Sequence, residues 1–81
     1  MKIAVYSLSE TLFEGEGDEL IAHTQGGQIT VLNEHIPLLT TLIGPKISIV
    51  RKNEEPFEVA FSAGVLEVRP QSEVVVLIGE K

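Results

Sequence analysis

Hydrophobic and polar residues alternate along most of this chain, which is the pattern of β-strands with one buried face. Ile3 and Val5 are predicted to share one face of a first strand, and Phe57, Val59 and Phe61 alternate with Glu and Ala in a later one. Such segments recur about every 8–12 residues with turn residues between them, as in sandwiches and barrels. No helix-length window places apolar residues at helical spacing, so the pattern predicts an all-β fold.

Three segments carry more specific expectations. The pair Gly26-Gly27 predicts a tight hairpin turn, because glycine tolerates positive φ. Gly44-Pro45 predicts a turn between a strand at 38–42 and another at 46–52. The uninterrupted apolar run at 74–78 is typical of a central strand covered on both faces.

Size and charge narrow the range of functions. The 81 residues predict a single domain spanning 1–81, and the absence of cysteine excludes disulfides and thiolate metal sites. The net charge of −6 disfavours nucleic acid and anionic membrane surfaces as partners. No apolar run approaches the roughly 18 residues of a membrane span, and the first residues lack the features of a signal peptide. We therefore expect a soluble intracellular domain without direct membrane insertion.

The residue types that usually carry chemistry do not form a recognisable set. There is no thiol nucleophile, and the glycines at 15 and 17 lack the third glycine of a dinucleotide-binding loop. His23 and His35 stand apart, without the second histidine that a metal site would need. We predict no catalytic residue, no metal and no cofactor, and interpret both histidines as structural or partner-contacting.

An acidic cluster lies in the first quarter of the chain, at positions 10, 14, 16, 18 and 19. Its spacing does not match a calcium-binding loop. We interpret it as a solvated edge that discourages strand-to-strand aggregation. A docking face for a basic partner is the alternative. Ile36, beside Pro37, is equally compatible with an exposed partner contact and with a place in the core, whereas Leu38 and Leu39 favour the core.

An ordered set of short motifs runs through the whole chain: Leu12-Phe13-Glu14-Gly15, Gly26-Gly27, Val31-Leu32, His35-x-Pro37-Leu38-Leu39-Thr40 and Gly64-x-Leu66-Glu67-Val68. Together they resemble the epsilon subunit of F-type ATP synthase, whose mitochondrial counterpart is called delta. The resemblance implies a β-sandwich or flattened barrel of about ten short, mostly antiparallel strands. Most members of that family add a C-terminal hairpin of two helices, which we expect to be absent here because the sequence stops after the last predicted strand.

The resemblance also implies a role. It suggests a non-catalytic rotor subunit of the central stalk that links the gamma subunit to the polar loops of the membrane c ring, in a heteromeric complex driven by protons or sodium ions. The expected location is the cytoplasmic face of a bacterial inner membrane, as a peripheral component. The expected ring-facing residues are Gly26, Gly27, Gln28, Asn33, Glu34, His35 and Ile36, and Gly64 is expected at a structural turn.

Departures from the family pattern bear on the local turn geometry and on the expected ring contact. The usual Leu-Pro-Gly-His is here Leu32-Asn33-Glu34-His35, and the usual Ser-Gly-Gly is Ser62-Ala63-Gly64.

Two other functions stay open at this point. A free-standing sandwich that binds a peptide or carbohydrate would need an aromatic platform, yet aromatics make up only 5% of the chain. A small enzyme would need the reactive groups that are missing.

Overall fold

The computed structural model describes residues 1–79, and eight β-strands account for their regular structure. In chain order the strands are β1 (Lys2–Tyr6), β2 (Thr11–Glu16), β3 (Glu19–Thr24), β4 (Gly27–Leu32), β5 (Leu38–Val50), β6 (Phe57–Ala60), β7 (Ala63–Arg69) and β8 (Glu73–Ile78).

The strands form two layers that share β5. The hydrogen-bonded order is β2-β1-β8-β7-β5-β3-β4, with β6 also paired to β5. The first half of β5 pairs with β7, whereas its second half pairs with β3 and β6. One layer is therefore β2-β1-β8-β7 with the first half of β5, and the other is β4-β3 with the second half of β5 and β6. All pairs are antiparallel except β1 with β8. The all-β sandwich predicted from the sequence is confirmed, with eight strands in the described residues rather than about ten.

The strand count falls because Gly44-Pro45 is a corner inside one strand. β5 runs through both residues without interruption, so the two strands predicted on either side are halves of one 13-residue strand. Backbone hydrogen bonds hold the corner: the Gly44 amide donates to the carbonyl of Ser62 (2.8 Å), and the Phe61 amide donates to that of Pro45 (2.9 Å). A Cβ at Gly44 would collide with the carbonyl oxygen of Phe61, so the close approach requires glycine.

The core lies between the two layers and is built from alternate residues of the strands. Its fully buried members include Ile3, Leu20, Leu42, Ile49 and Leu66. No polar or charged residue among positions 1–79 is buried with them. Because successive side chains of a strand point to opposite faces, the residues between these core positions form the two outer faces of the sandwich.

One open side of the sandwich is closed by side chains rather than by strand pairing. The rings of Phe13 in β2 and Phe57 in β6 lie 5.0 Å apart, and the Arg51 guanidinium lies 5.8 Å from each ring centroid. Arg51 also pairs with Glu54 (2.8 Å) and donates to the carbonyl of Glu55 (3.1 Å). The arginine thus bridges the edge strands of both layers.

Gly64 lies inside strand β7, not in a turn. Its Cα partners are Leu42 and Ile78 in the two neighbouring strands. A Cβ at this position would lie 2.6 Å from the backbone carbonyl oxygen of Leu77. Close packing against β8, rather than a special φ angle, accounts for the glycine.

Candidate protein-docking surface

The outer face of the first layer exposes a row of apolar side chains. Thr41, Val65, Leu77 and Tyr6 are successive Cα partners across β5, β7, β8 and β1. Leu77 is 53% exposed and Val65 37%. Ile43 and Leu39, on the same face of β5, are also exposed. We define these four aliphatic residues, Leu39, Ile43, Val65 and Leu77, as the apolar face.

This exposure corrects one expectation from the sequence. The run at 74–78 does form a central strand, β8, between β1 and β7. Only Val74, Val76 and Ile78 are buried, however, while Val75 is half-buried and Leu77 exposed. Within the described chain, β8 is covered on one face alone. No element of residues 1–79 covers its second apolar face, and an exposed apolar patch of this kind marks a candidate protein interface.

Charged residues border the apolar face at one end. Arg69, Glu73, Lys2 and Glu16 are successive Cα partners across β7, β8, β1 and β2. Arg69 pairs with Glu67 at 3.1 Å. These residues and Tyr6 line a shallow concavity of about 380 Å³. An apolar centre with a charged border is typical of docking surfaces.

The outer face of the second layer is polar by contrast. Lys46 Nζ donates to Glu58 Oε2 at 2.9 Å, and Ser48 Oγ donates to the same oxygen at 3.3 Å. The hydrogen bond and charge of Lys46 lower the pKa of Glu58 below its ordinary value. The polar groups of this face bind one another, so the two outer faces of the sandwich differ in chemistry.

The residues expected to face a ring lie in two groups at opposite ends of β4. Thr24 and Gly27 are partners at one end of the β3–β4 hairpin, and Glu19 and Leu32 are partners at the other. Gly26, Gly27 and Gln28 are exposed at the first end. The segment 33–36 follows β4 at the second. The structure therefore does not bring the set together in one loop; its members lie at the two ends of β4, an edge strand of the second layer.

The loop after β4 has a defined backbone. Glu34 adopts a left-handed conformation with φ of 66°, and its amide donates to Ser72 Oγ at 3.0 Å. The backbone amide of His35 donates to the carbonyl of Leu32 at 3.1 Å. The Nδ1–H of the His35 ring donates to the carbonyl of Ile36 at 2.7 Å. These bonds tie the loop to the β7–β8 turn and leave Ile36 74% exposed. Ile36 is thus a surface residue, and Leu39, expected in the core, is exposed as well.

No reactive site is assembled in the part of the chain that the structure describes. His23, half-buried, lies opposite Gln28 on the polar face, far along the hairpin from His35. Within residues 1–79, no group of three or more His, Asp or Glu side chains is placed to hold a metal ion. The acidic residues Glu14 and Glu16 are exposed on the edge strand β2. That placement agrees with a solvated edge.

The aromatic residues offer no platform for a carbohydrate or peptide. Phe13, Phe57 and Phe61 are partly buried and pack against the core. Tyr6 is half-buried beside the concavity on the first layer. No helix long and apolar enough to cross a membrane occurs in residues 1–79.

The sequence interpretation did not identify the apolar face. The signal was present in the continuous apolar run at 74–78 and in Val65, which follows Ala63-Gly64. Alternation assigns residues to two faces of a strand, but it does not say whether the second face is covered by the same chain or by another.

A small sandwich with one apolar and one polar outer face has the surface chemistry of a protein-docking domain. The comparison with protein families makes this more specific. Residues 1–80 match the model of the ATP synthase delta/epsilon chain β-sandwich domain. The chain belongs to this family, whose members are non-catalytic subunits of ATP synthase.

Related proteins agree with this assignment. The chain is 38% identical over 69 residues to an ATP synthase epsilon chain of Persephonella marina, covering 85% of this chain and 50% of the relative. It is 34% identical over 67 residues to that of Xylella fastidiosa, covering 83% of this chain and 48% of the relative. The chain thus spans about half the length of these relatives.

Solved structures show the same fold. A chain in the central stalk and c ring of the Tetrahymena thermophila mitochondrial ATP synthase matches with a TM-score of 0.83 at 13% identity, covering 98% of this chain and 63% of that one. A chain in the OSCP/F1/c-ring structure of the Euglena gracilis mitochondrial ATP synthase matches with a TM-score of 0.84 at 17% identity, covering 94% of this chain and 48% of that one.

Proposed function

We propose that this chain is a rotor subunit of an F-type ATP synthase that links the gamma subunit to the c ring. Its contribution is mechanical: a rigid sandwich binds one partner on each of two surfaces and transmits rotation between them. The family membership and the absence of an assembled reactive site in residues 1–79 support this role. The proposed location is the cytoplasmic face of a bacterial inner membrane, in a heteromeric complex.

The apolar face is the proposed gamma-docking surface. It is the observation that carries the proposal, because Leu39, Ile43, Val65 and Leu77 leave the outer side of the first layer uncovered. Burying such side chains contributes about 25 cal/mol per Å² of apolar area. The charged border at Lys2, Glu73 and Arg69 would then orient the partner without supplying most of the affinity.

The two ends of β4 are the proposed ring-facing residues. Gly26, Gly27 and Gln28 at one end and residues 33–36 at the other are accessible along one edge of the second layer. The backbone bonds of Glu34 and His35 hold the second group in a fixed shape, which suits a mechanical contact. Neither group includes a residue of the apolar face, so ring and gamma would occupy different surfaces.

Binding to purified gamma subunit tests the proposal. The Leu77→Glu variant should lose binding, because it places a charge in the centre of the apolar face. The Leu32→Glu variant is a matched control, since Leu32 is 52% exposed against 53% for Leu77 but lies on the other layer. We expect the control to bind gamma as the parent chain does. Equal binding by both variants would contradict the assignment of the face.

A further inference from the structure

The free edge of β4 differs from the other strand edges in its lack of protection. Among the strands of residues 1–79, β4 pairs with β3 alone, so its far edge presents backbone amides and carbonyls that no described strand pairs. Exposed edges of this kind attract further strands unless charge, proline or a bulge prevents it. The six residues of β4 include no charged residue and no proline, and their register with β3 contains no bulge.

The other edges carry the features that β4 lacks. β2 has Glu14 and Glu16 exposed on it. β6 has four residues, follows Pro56 and carries Glu58. The free stretch of β5 lies between Pro37 and the corner at Gly44-Pro45. Charge, short length or a flanking proline thus disfavours strand pairing at each of these edges.

Charge is sparse around β4 as well. Between Thr24 and Pro45 the chain has a single formally charged residue, Glu34, although the whole chain has 12 acidic and 6 basic residues. Two copies with a net charge of −6 repel each other wherever their charged surfaces meet. A surface with little charge avoids this repulsion, and β4 is such a surface.

The register of the hairpin determines which groups of β4 are free. Thr24 and Gly27 flank a two-residue turn, so they form a hydrogen-bonded pair and the bonded pairs alternate from there. Ile29 and Val31 consequently bond to β3, whereas Gln28, Thr30 and Leu32 direct their amides and carbonyls outward.

We propose that β4 pairs antiparallel with β4 of a second copy about a two-fold axis through Thr30. This register opposes Thr30 to its own symmetry mate and Gln28 to the mate's Leu32, and it uses all three outward-directed residues. On the core side it places Ile29 beside the mate's Val31, which continues the apolar inner face. Like charges are nowhere directly opposed, and paired threonines are favourable across strands. The inference does not rest on the proposed gamma contact, and it engages Gln28, which is also a proposed ring-facing residue.

The dimer should be weak. A single pair of six-residue strands buries less than the roughly 1,200–2,000 Å² of a standard stable interface. We therefore expect a monomer–dimer equilibrium that is visible only at high micromolar concentration.

Sedimentation equilibrium from about 10 μM to 1 mM tests the proposal on the chain as it stands. The Thr30→Lys variant should weaken dimerisation at least 10-fold, because it opposes two ammonium groups at the two-fold axis. Thr11→Lys, at an exposed position of the edge strand β2, is the matched control and should leave it unchanged. A chain that stays monomeric at 1 mM would overturn the proposal, as would a dimer that Leu77→Glu disrupts and Thr30→Lys does not.

Cysteine cross-linking tests the register, since the chain has no cysteine of its own. Opposed residues of an antiparallel pair lie within the Cα separation that a disulfide spans. Thr30→Cys should cross-link to itself under mild oxidation, and a mixture of Gln28→Cys with Leu32→Cys should give the mixed dimer in preference to either homodimer. Cross-linking of Gln28→Cys alone as efficient as that of Thr30→Cys would contradict this register.

Discussion

Val65 of β7 and Leu77 of β8 lie directly opposite each other on the outer face of the first layer, and both are exposed. Their strand neighbours Leu66 and Val76 are also partners, and both are fully buried. The same two strands thus have one apolar face in the core and a second on the surface. The second face is the surface that we propose the gamma subunit covers.

The two faces should differ in their effect on stability. Leu66→Ala should lower the free energy of unfolding by about 2–5 kcal/mol, because it leaves a cavity in the core. Leu77→Ala should cost about 1 kcal/mol or less, because half of the side chain is already in solvent. Urea denaturation of both variants checks this. Similar losses would mean that the Leu77 side chain belongs to the core.

Gly64 should not tolerate a side chain. In Gly64→Ala the new methyl group would approach the carbonyl oxygen of Leu77 to 2.6 Å, so β7 and β8 must separate. We expect a loss of about 1–3 kcal/mol, as for other overpacked sites. Gly15→Ala is the control, since its methyl group would meet only the Phe13 ring at 3.6 Å. A melting temperature that falls equally in both variants would contradict the explanation.

Glu34 should be replaceable by glycine with a gain in stability. Its φ of 66° is unfavourable for a residue with a Cβ. Glu34→Gly should raise the free energy of unfolding by up to about 1 kcal/mol, the lower end of the usual cost of such strain. Glu34→Ala removes the same charge but keeps the Cβ, so thermal unfolding should show no gain. A lower melting temperature for the glycine variant would refute the strain.

The Lys46–Glu58 pair should make a pH-dependent contribution. Lys46 lowers the pKa of Glu58 in the folded chain, so the folded state binds this proton less readily than the unfolded state. The contribution is therefore present above the ordinary pKa of a glutamate, about 4.3, and is lost as the pH falls through the lowered value. Thermal unfolding of the parent and of Glu58→Gln should differ at pH 7 and converge in acid. A difference in melting temperature that stays constant with pH would exclude this coupling between the protonation of Glu58 and folding.

The strand pattern of this fold was largely predictable because alternation follows directly from the two-residue period of a strand. Gly44-Pro45 was not predictable as a corner, because glycine and proline interrupt an alternating pattern in the same way at a turn between two strands and at a corner within one strand. The corner is distinguished from a turn by the pairing of β5 with strands of both layers. The backbone contacts that hold it, to Ser62 and Phe61, come from residues distant in sequence.

The candidate site was less predictable than the fold. The motifs around Gly26 and His35 indicated a contact region, but β4 separates them by its whole length, which only the hairpin register reveals. The apolar face was missed for a related reason. Leu77 lies in an apolar run that is typical of a strand covered on both faces. Whether the same chain covers the outer face depends on how the layers pack, which the run itself does not reveal.

The most direct test of the central claim is a titration of this chain against purified gamma subunit, followed by calorimetry, with Leu77→Glu and Leu32→Glu measured in parallel. If gamma binds at the apolar face, the parent chain and Leu32→Glu should both bind it. Leu77→Glu should lose at least 100-fold in affinity for gamma, equivalent to about 2.7 kcal/mol. Failure of the parent chain to bind gamma, or binding by Leu77→Glu at parental affinity, would contradict it.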